Sequence, residues 1–349
     1  MEIFTQPIRF KVYYPTSGFG LKKDAEIFKK YLNLLGYPCD IEVAERNDPN
    51  SRYSTLFNFI LAICRLFNLL CVLKLIRRYF RIKKNVCALH LETPFYSKFF
   101  FNEHSIFIPN QEWFNPSDVD LLRYFDDIWC KSELAFNIFT QLKYKTKFLG
   151  FCSDIDSQYQ HTPKAQRYFV ARSGNSRHRG IEGLVAVWNR HPEWPQLKIV
   201  IAKDRRPALS PANVEYLDIF ANAAEFYQFA TAAQFHVYMT EAEGFGHTIV
   251  EAMGCGAIVL VTNAPPMNEI ADEHCALMVD ANYSGQLSLS PRFAARPESL
   301  EKAVERAIHM QDEEIAQLSR EAIIRYQHLV ATFSNNLKQE IENLLHQQY

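Results

Sequence analysis

The chain has 349 residues, 48% hydrophobic and 22% charged, enough apolar side chains for about two folded domains and too many for a disordered chain. Lys+Arg 38 against Asp+Glu 39 leaves a net charge of -1, which excludes the overall basic field of a nucleic-acid binder. The eight Cys (Cys39, Cys64, Cys71, Cys87, Cys130, Cys152, Cys255 and Cys275) are irregularly spaced with no CxxC pair, which argues against a zinc ribbon or a thioredoxin-type site. They read instead as thiols in a reducing compartment.

In chain order, Phe10–Tyr14 reads as a strand, followed by a loop with Gly18 and Gly20. An amphipathic helix then presents Ala25, Phe28, Tyr31, Leu32 and Leu35 on one face, with Gly36 placed as its C-cap. Cys39–Val43 is the next strand, and Val86–Leu91 and Ser105–Pro109 continue the pattern. Residues 154–166 are polar and mark the expected boundary. This gives domains at 1–155 and 156–326, with 327–349 as a C-terminal helix returning to the first domain.

Beyond the boundary the alternation restarts. Strands are expected at Tyr168–Ala171, Leu197–Ala202, Val214–Leu217, Phe235–Met239 and Ala257–Thr262. Helices are expected at Ile181–Asn189, Glu225–Ala233 and Thr248–Met253. The tail carries no strand signal and reads as helices at Glu298–Met310, Asp312–Tyr326 and Phe333–His346. Two runs of this kind predict an α/β protein of two Rossmann-like, doubly wound domains facing each other across a cleft. Residues 1–20 include Lys11 and lack the layout of a cleavable signal, so a cytoplasmic location is expected.

Glycine is scarce, at 12 residues, so its clustering is informative. Gly244, Gly246, Gly254 and Gly256 fall together in Glu243-Gly-Phe-Gly-His-Thr-Ile-Val-Glu251-Ala-Met-Gly-Cys-Gly256, between two predicted strands. A strand, a Gly-rich turn and a helix starting near His247 make an anion site, because first-turn amides and the helix dipole point at the ligand. Glu243 then lies on the loop and Glu251 in the helix, addressing different parts of one ligand. A second cluster, Arg172-Ser-Gly174-Asn-Ser-Arg177-His178-Arg179-Gly180, puts guanidinium groups just past a strand, where they can clamp phosphate oxygens.

The segment EGFGHTIVEAMGCG resembles the E-x7-E signature of nucleotide-sugar-dependent glycosyltransferases of the GT-B fold. The similarity is to the retaining "glycosyl transferases group 1", which includes sucrose synthase and bacterial phosphatidylinositol mannosyltransferases. It extends over roughly residues 167–280 and includes the loop Asn263–Glu269. It implies a metal-independent transferase without cofactor that takes a UDP- or GDP-linked sugar. The second domain would bind the donor and the first the acceptor.

By this resemblance, Glu243 orients the donor sugar or supports the cationic anomeric carbon, and Arg172 and Arg179 (with Arg177 as a competitor) stabilise the leaving diphosphate. Gly244, Phe245, Gly246, His247 and Thr248 bind the donor, Glu251 accepts from the ribose, and the base stacks at Val214–Leu217. Gly18 and Gly20 would approach the phosphates from the first domain. His90 is the first choice for its catalytic residue, ahead of Glu92, Asn110 and Glu112.

Two DxD patterns, Asp154-Ile155-Asp156 and Asp118-Val119-Asp120, are too short and too frequent a signal to assign a metal. Residues 57–84 combine long apolar stretches with Arg65, Lys74, Arg77, Arg78, Arg81, Lys83 and Lys84 and no acidic residue. They read either as a helix on an anionic membrane surface, on the inner face, or as a core helix with a solvated basic end. The expected function is retaining transfer to a glycan or lipid-linked acceptor in bacterial surface polysaccharide or glycolipid synthesis. The alternatives are a transferase acting on protein or DNA, a sugar-nucleotide epimerase, and a GT-B module without catalysis.

Overall fold

A computed structural model describes residues 8–15, 19–44, 86–95, 98, 104–159, 166–173, 178–220 and 222–346. Its contacts divide the chain into two units. The first is Met1–Pro109, Phe114–Cys130 and Phe139–Lys147, and the second is Asn110–Trp113, Lys131–Ile138 and Phe148–Tyr349.

The first unit is built on β1 (Arg9–Tyr14), α1 (Phe19–Leu34), β2 (Cys39–Val43), β3 (Val86–Leu91), β4 (His104–Ile108), β5 (Asp127–Cys130) and β6 (Thr146–Phe148), while most of the intervening helix α2 (Glu133–Gln141) belongs to the second unit. Its sheet runs β2-β1-β3-β4-β5-β6, with parallel pairing from β2 through β5. Strand β3 is central and covered on both faces, so nearly every side chain in VCALHL is buried. Helix α1 buries Leu21, Ala25, Phe28 and Leu32 at steps of four, three and four. Gly36, at φ +87°, ends it in the left-handed region that only glycine enters cheaply. The helix starts at Phe19, so Gly20 lies in its first turn rather than in the preceding loop.

Strands β5 and β6 and helix α2 have no counterpart in the sequence reading. DIWC and TKF are too short to show a period, and each contains a charged residue.

The second unit continues with β7 (Gln166–Arg172), α3 (Ile181–Arg190), β8 (Leu197–Val200), β9 (Val214–Leu217), α4 (Ala223–Ala232), β10 (Ala233–Tyr238), α5 (His247–Gly254), β11 (Ile258–Asn263) and α6 (Met267–Ile270). It ends with β12 (Ala276–Leu287), β13 (Ser290–Ala295), α7 (Pro297–His309) and α8 (Asp312–His346). The sheet order is β13-β12-β11-β10-β7-β8-β9. From β9 to β12 every pair is parallel. Read from β9, this is the doubly wound order 3-2-1-4-5-6, with the chain reversing direction across the sheet between β7 and β10. Phe169 and Phe235 stack across these two strands at 5.0 Å, and Trp188 of α3 packs edge-on to Phe169 at 5.2 Å.

Two expectations for the C-terminal part are corrected. Strand β12 runs beyond the parallel sheet and returns through β13 as an antiparallel hairpin, where no strand was expected. Only Ala276–Val279 is apolar, and the polar Asp280–Gln286 hides the rest of the strand. The tail then forms α7 and one continuous α8 of 35 residues, without a break at 327–332. No Gly or Pro lies between Asp312 and His346 to stop it. All of α8 belongs to the second unit.

Helix α8 buries Ile315, Leu318, Ala322, Tyr326, Phe333, Leu337, Ile341 and Leu344, one stripe along its length. Against α5 the approach is close: a side chain at Gly254 would come within 2.3 Å of Ile155 and 2.9 Å of the Tyr326 ring. Phe333 is wholly buried, with its ring 4.9 Å from that of Phe151. Phe333→Ala should therefore destabilise the second unit by about 3–5 kcal/mol. Chemical denaturation is the check, and a loss below 1 kcal/mol would mean that this half of α8 is not docked.

Candidate functional site

At a switch point the connections after two neighbouring parallel strands run to opposite faces of the sheet, which opens a crevice at their carboxyl ends. In the second unit those strands are β7 and β10. Arg172 is the last residue of β7 and Gly180 the N-cap of the following helix α3. Gly180 has φ +62°, and a Cβ there would lie 2.2 Å from the Met239 carbonyl oxygen, so the α3 start can approach the end of β10 only as glycine. After β10 the chain passes through Glu241, Glu243 and Gly244 to Gly246, which caps α5 at φ +103° with no side chain to offer. At such a helix start the first-turn amides have no intrahelical acceptor and the dipole is positive.

Two ion pairs hold this corner. Arg172 Nη1 lies 3.4 Å from Glu251 Oε2, and Arg179 Nη1 pairs with Glu243 Oε1. Glu251 is 7% exposed and Glu243 10%, so both carboxylates are charges in a poorly solvated place and depend on their guanidinium partners. Ser153 Oγ, itself buried, donates to Glu251 Oε1 at 3.3 Å and lies 3.1 Å from His247 Nδ1. Arg179 also donates to Thr240 Oγ1 at 3.4 Å. Burial lowers the Arg179 pKa to about 10, partly opposed by Glu112, so the guanidinium stays charged at neutral pH. Gln111 Nε2 donates to the Glu243 carbonyl at 2.6 Å. Gly244 leaves room for Asn110, whose Oδ1 lies 2.4 Å from where a Cβ would be.

Beneath the loop, β10 carries a buried polar pair on the face opposite Phe235 and Val237. His236 Nε2 is 3.0 Å from the Ala230 carbonyl and therefore bears the proton. Its Nδ1 then accepts from the Tyr238 hydroxyl at 3.0 Å. Burial, reinforced by Glu251, raises the Tyr238 pKa and keeps the phenol neutral. Tyr227, His236, Tyr238, Thr248, Glu251 and Cys255 are among the residues lining a small pocket, about large enough for a water molecule. The corner thus offers two cations, a helix start, a buried carboxylate beside a pocket, and a second carboxylate on the loop. This combination suits a phosphorylated ligand that also carries hydroxyls.

Comparison with known proteins adds a family match and a fold. Residues 213–324 match the family model described as "Glycosyl transferases group 1". The chain carries a group 1 glycosyltransferase domain. The match supports a glycosyltransferase, and the fold is GT-B. Sucrose-phosphate synthase of Thermosynechococcus elongatus is 14% identical over 97% of this chain and 99% of its own, with a TM-score of 0.67. A glycosyltransferase of Rickettsia africae ESF-5 is 12% identical over 97% and 98%, with a TM-score of 0.68. Anabaena HepE, solved in complex with UDP and glucose, is 14% identical over 97% and 100%, with a TM-score of 0.62. No curated protein matches the chain by sequence.

The second unit brings together Arg172, Arg179, Glu243, Gly244, Gly246, His247, Thr248 and Glu251. Phe245 is buried beside them, its ring 5.2 Å from Phe151. Strand β9, expected to meet the base, is the sheet edge two places from β7. Glu269, in the loop Asn263–Glu269, accepts from the Glu133 and Leu134 amides at 2.7 and 2.9 Å and so caps α2. Gly18, Arg177 and residues 57–84 lie outside the described residues. Gly20 has open space around it.

His90, the first choice for the catalytic residue of the first domain, is inside β3 and wholly buried. It accepts from the Phe95 amide at 3.3 Å amid the rings of Tyr13, Phe95 and Phe125. Both DxD patterns are in local use: Asp156 binds the Gln158 amide and Asp120 pairs with Arg123. Among the described residues no group of His, Cys, Asp and Glu could hold a metal ion.

Ser153, Gln111, Thr240 and the His236–Tyr238 pair were missed from sequence. Only the last left a signal, two polar residues spaced i, i+2 in an otherwise apolar strand. Gly180→Ala should cost about 1–3 kcal/mol for its left-handed backbone, with more from the clash at Met239. It should also lower activity by displacing Arg179. A variant with unchanged melting temperature and turnover would refute that account of the α3 start.

Proposed function

We propose that the protein transfers a sugar from a UDP- or GDP-linked donor to a glycan or lipid-linked acceptor, with retention and without a metal. The observation that carries the donor assignment is the double pairing of Arg172 with Glu251 and Arg179 with Glu243 at the switch point of a group 1 domain. The Anabaena neighbour solved with UDP and glucose and the E. coli trehalose-6-phosphate synthase bound with UDP-2-fluoro glucose support a nucleotide sugar. Retention and a role in bacterial surface polysaccharide or glycolipid synthesis follow from the family resemblance.

When the bond from anomeric carbon to diphosphate oxygen breaks, negative charge grows on the leaving group and positive charge on the carbon. Arg172, Arg179 and the α5 start meet the former, as preorganised donors that need no reorganisation during the reaction. Glu243 faces the latter, and Glu251 receives the ribose hydroxyls beside its pocket. The catalytic set we assign is Glu243, Arg172 and Arg179. His90, enclosed by aromatic rings, is left out of it.

Calorimetry with UDP-glucose and GDP-mannose tests the donor site. Glu251→Ala should weaken binding by about 1.5–3 kcal/mol, a hydrogen bond to a charged group. Arg179→Ala should lower kcat more than affinity, and turnover should survive EDTA. Unchanged binding in the Glu251 variant, or activity lost to chelator and restored by Mn2+, would sink the assignment.

The basic segment 57–84 supports attachment to an anionic membrane. Among the described residues no helix is long and apolar enough to cross one. Each basic residue near an anionic surface contributes about 1 kcal/mol, so the wild-type chain should sediment with phosphatidylserine vesicles at low salt. Changing Arg77, Arg78, Arg81 and Lys83 to Glu should release it. Indifference of the wild type to vesicles would return the segment to an internal role.

A further inference from the structure

Outside the residues assigned to the donor, the second unit holds a polar cluster with an exposed aromatic ring. Trp113 is 49% exposed, whereas the other three tryptophans, Trp129, Trp188 and Trp194, are 0–7% exposed. Its ring is nonetheless held in place. The turn Asn110–Trp113 closes through the Trp113 amide on the Asn110 carbonyl at 3.0 Å. The Gln111 carbonyl accepts from the Leu289 amide at the tip of the β12–β13 hairpin at 3.1 Å. The Trp113 ring lies 6.5 Å from the ring of His178.

Next to His178 stands Glu241. Its backbone is fixed at both ends, with its amide on the His178 carbonyl and its own carbonyl on the Phe293 amide, each at 2.9 Å. Its Oε2 accepts from Arg292 Nε at 3.1 Å and Nη2 at 2.5 Å, with His178 Nδ1 at 3.6 Å. Oε1 has no partner among the described residues, and the side chain is 21% exposed. Glu241 is two residues before Glu243, and His178 immediately precedes Arg179, so the cluster adjoins the Arg179–Glu243 pair assigned above to the donor.

We infer that Trp113, Glu241, Arg292 and His178 form a subsite for a neutral saccharide acceptor. The inference rests on the glycosyltransferase reading and adds the chemistry of the acceptor. A flat, half-exposed indole offers an apolar face to the C–H side of a pyranose. A fixed carboxylate with an open oxygen seeks hydroxyl donors. Its charge repels phosphate and carboxylate ligands, and the Arg292 guanidinium is already committed to it. A few convergent polar groups beside an aromatic wall are the means by which a site selects an uncharged polyol. The hairpin missed from sequence thereby gains a purpose, since it supplies Arg292 and steadies the Trp113 turn.

The exposed tryptophan is its own reporter. With UDP saturating, the full chain is titrated with methyl glucoside, methyl mannoside, methyl galactoside and methyl N-acetylglucosaminide while indole emission is followed. At least one should give a saturable shift. Trp113→Leu should abolish it, and Glu241→Gln and Arg292→Ala should raise its midpoint tenfold or more, while the UDP affinity of all three stays within twofold of wild type. A chain that binds UDP but whose emission no glycoside shifts overturns the acceptor inference alone. So does a shift that persists in Trp113→Leu. A chain that binds neither UDP-glucose, GDP-mannose nor UDP overturns the donor reading and the acceptor inference with it.

Discussion

The reversal of strand order between β7 and β10 is the constraint on which the chemistry of the second unit depends. Parallel strands place all their carboxyl ends on one edge of the sheet, but only at the reversal do the following connections separate and leave that edge open. Arg172 ends one of the two strands and the Glu243 loop follows the other, so side chains far apart in sequence become neighbours. Gly180 and Gly246 let the backbone make the two turns, both with φ in the left-handed region. An order without this reversal would cover the same residues with a crossover helix.

Charge is nearly balanced at this corner before any ligand arrives. Two guanidinium groups face two carboxylates, with Glu112 acting on Arg179 as a third. Burying unpaired charges costs several kcal/mol each, so the pairs are what permits such residues to be held where water is scarce. A diphosphate entering between Arg172 and Arg179 competes with Glu243 and Glu251 for the same N–H donors. In the proposed function the carboxylates then become available to hydroxyls, Glu251 to the ribose and Glu243 to the sugar. The pairs that hold this corner in shape are thus the groups that the proposed function assigns to binding.

The donor corner was legible because its signal is local. EGFGHTIVEAMGCG holds two carboxylates, the turn glycines and the helix start within fourteen residues, and the basic cluster follows a clear strand. What escaped was either short or supplied from a distance. Strands β5 and β6 have four and three residues, too few to show alternation. Ser153 and Gln111 reach the site only through tertiary contacts. His90 illustrates the converse case. A histidine near the end of an apolar strand looked catalytic, yet rings from β1, the Phe95 segment and Phe125 close over it. Nothing in the local pattern separates a histidine facing solvent from one in an aromatic core.

The loop from Thr240 to Gly246 shows how one short segment can serve several partners. Thr240 receives Arg179, Glu241 receives Arg292, and Glu243 receives Arg179 again, while the Glu243 carbonyl takes Gln111. The carboxylates of Glu241 and Glu243 are thereby sent to different cations. This separation suits the proposed transfer, in which donor and acceptor must be gripped independently yet meet at one carbon. A misplacement of about 1 Å there is enough to cost a hundredfold in rate. Positioning is therefore the task of the whole loop, and the side chains and backbone that pin it, Gln111 and the amide of Phe293 among them, set the geometry that Glu243 presents to the substrate.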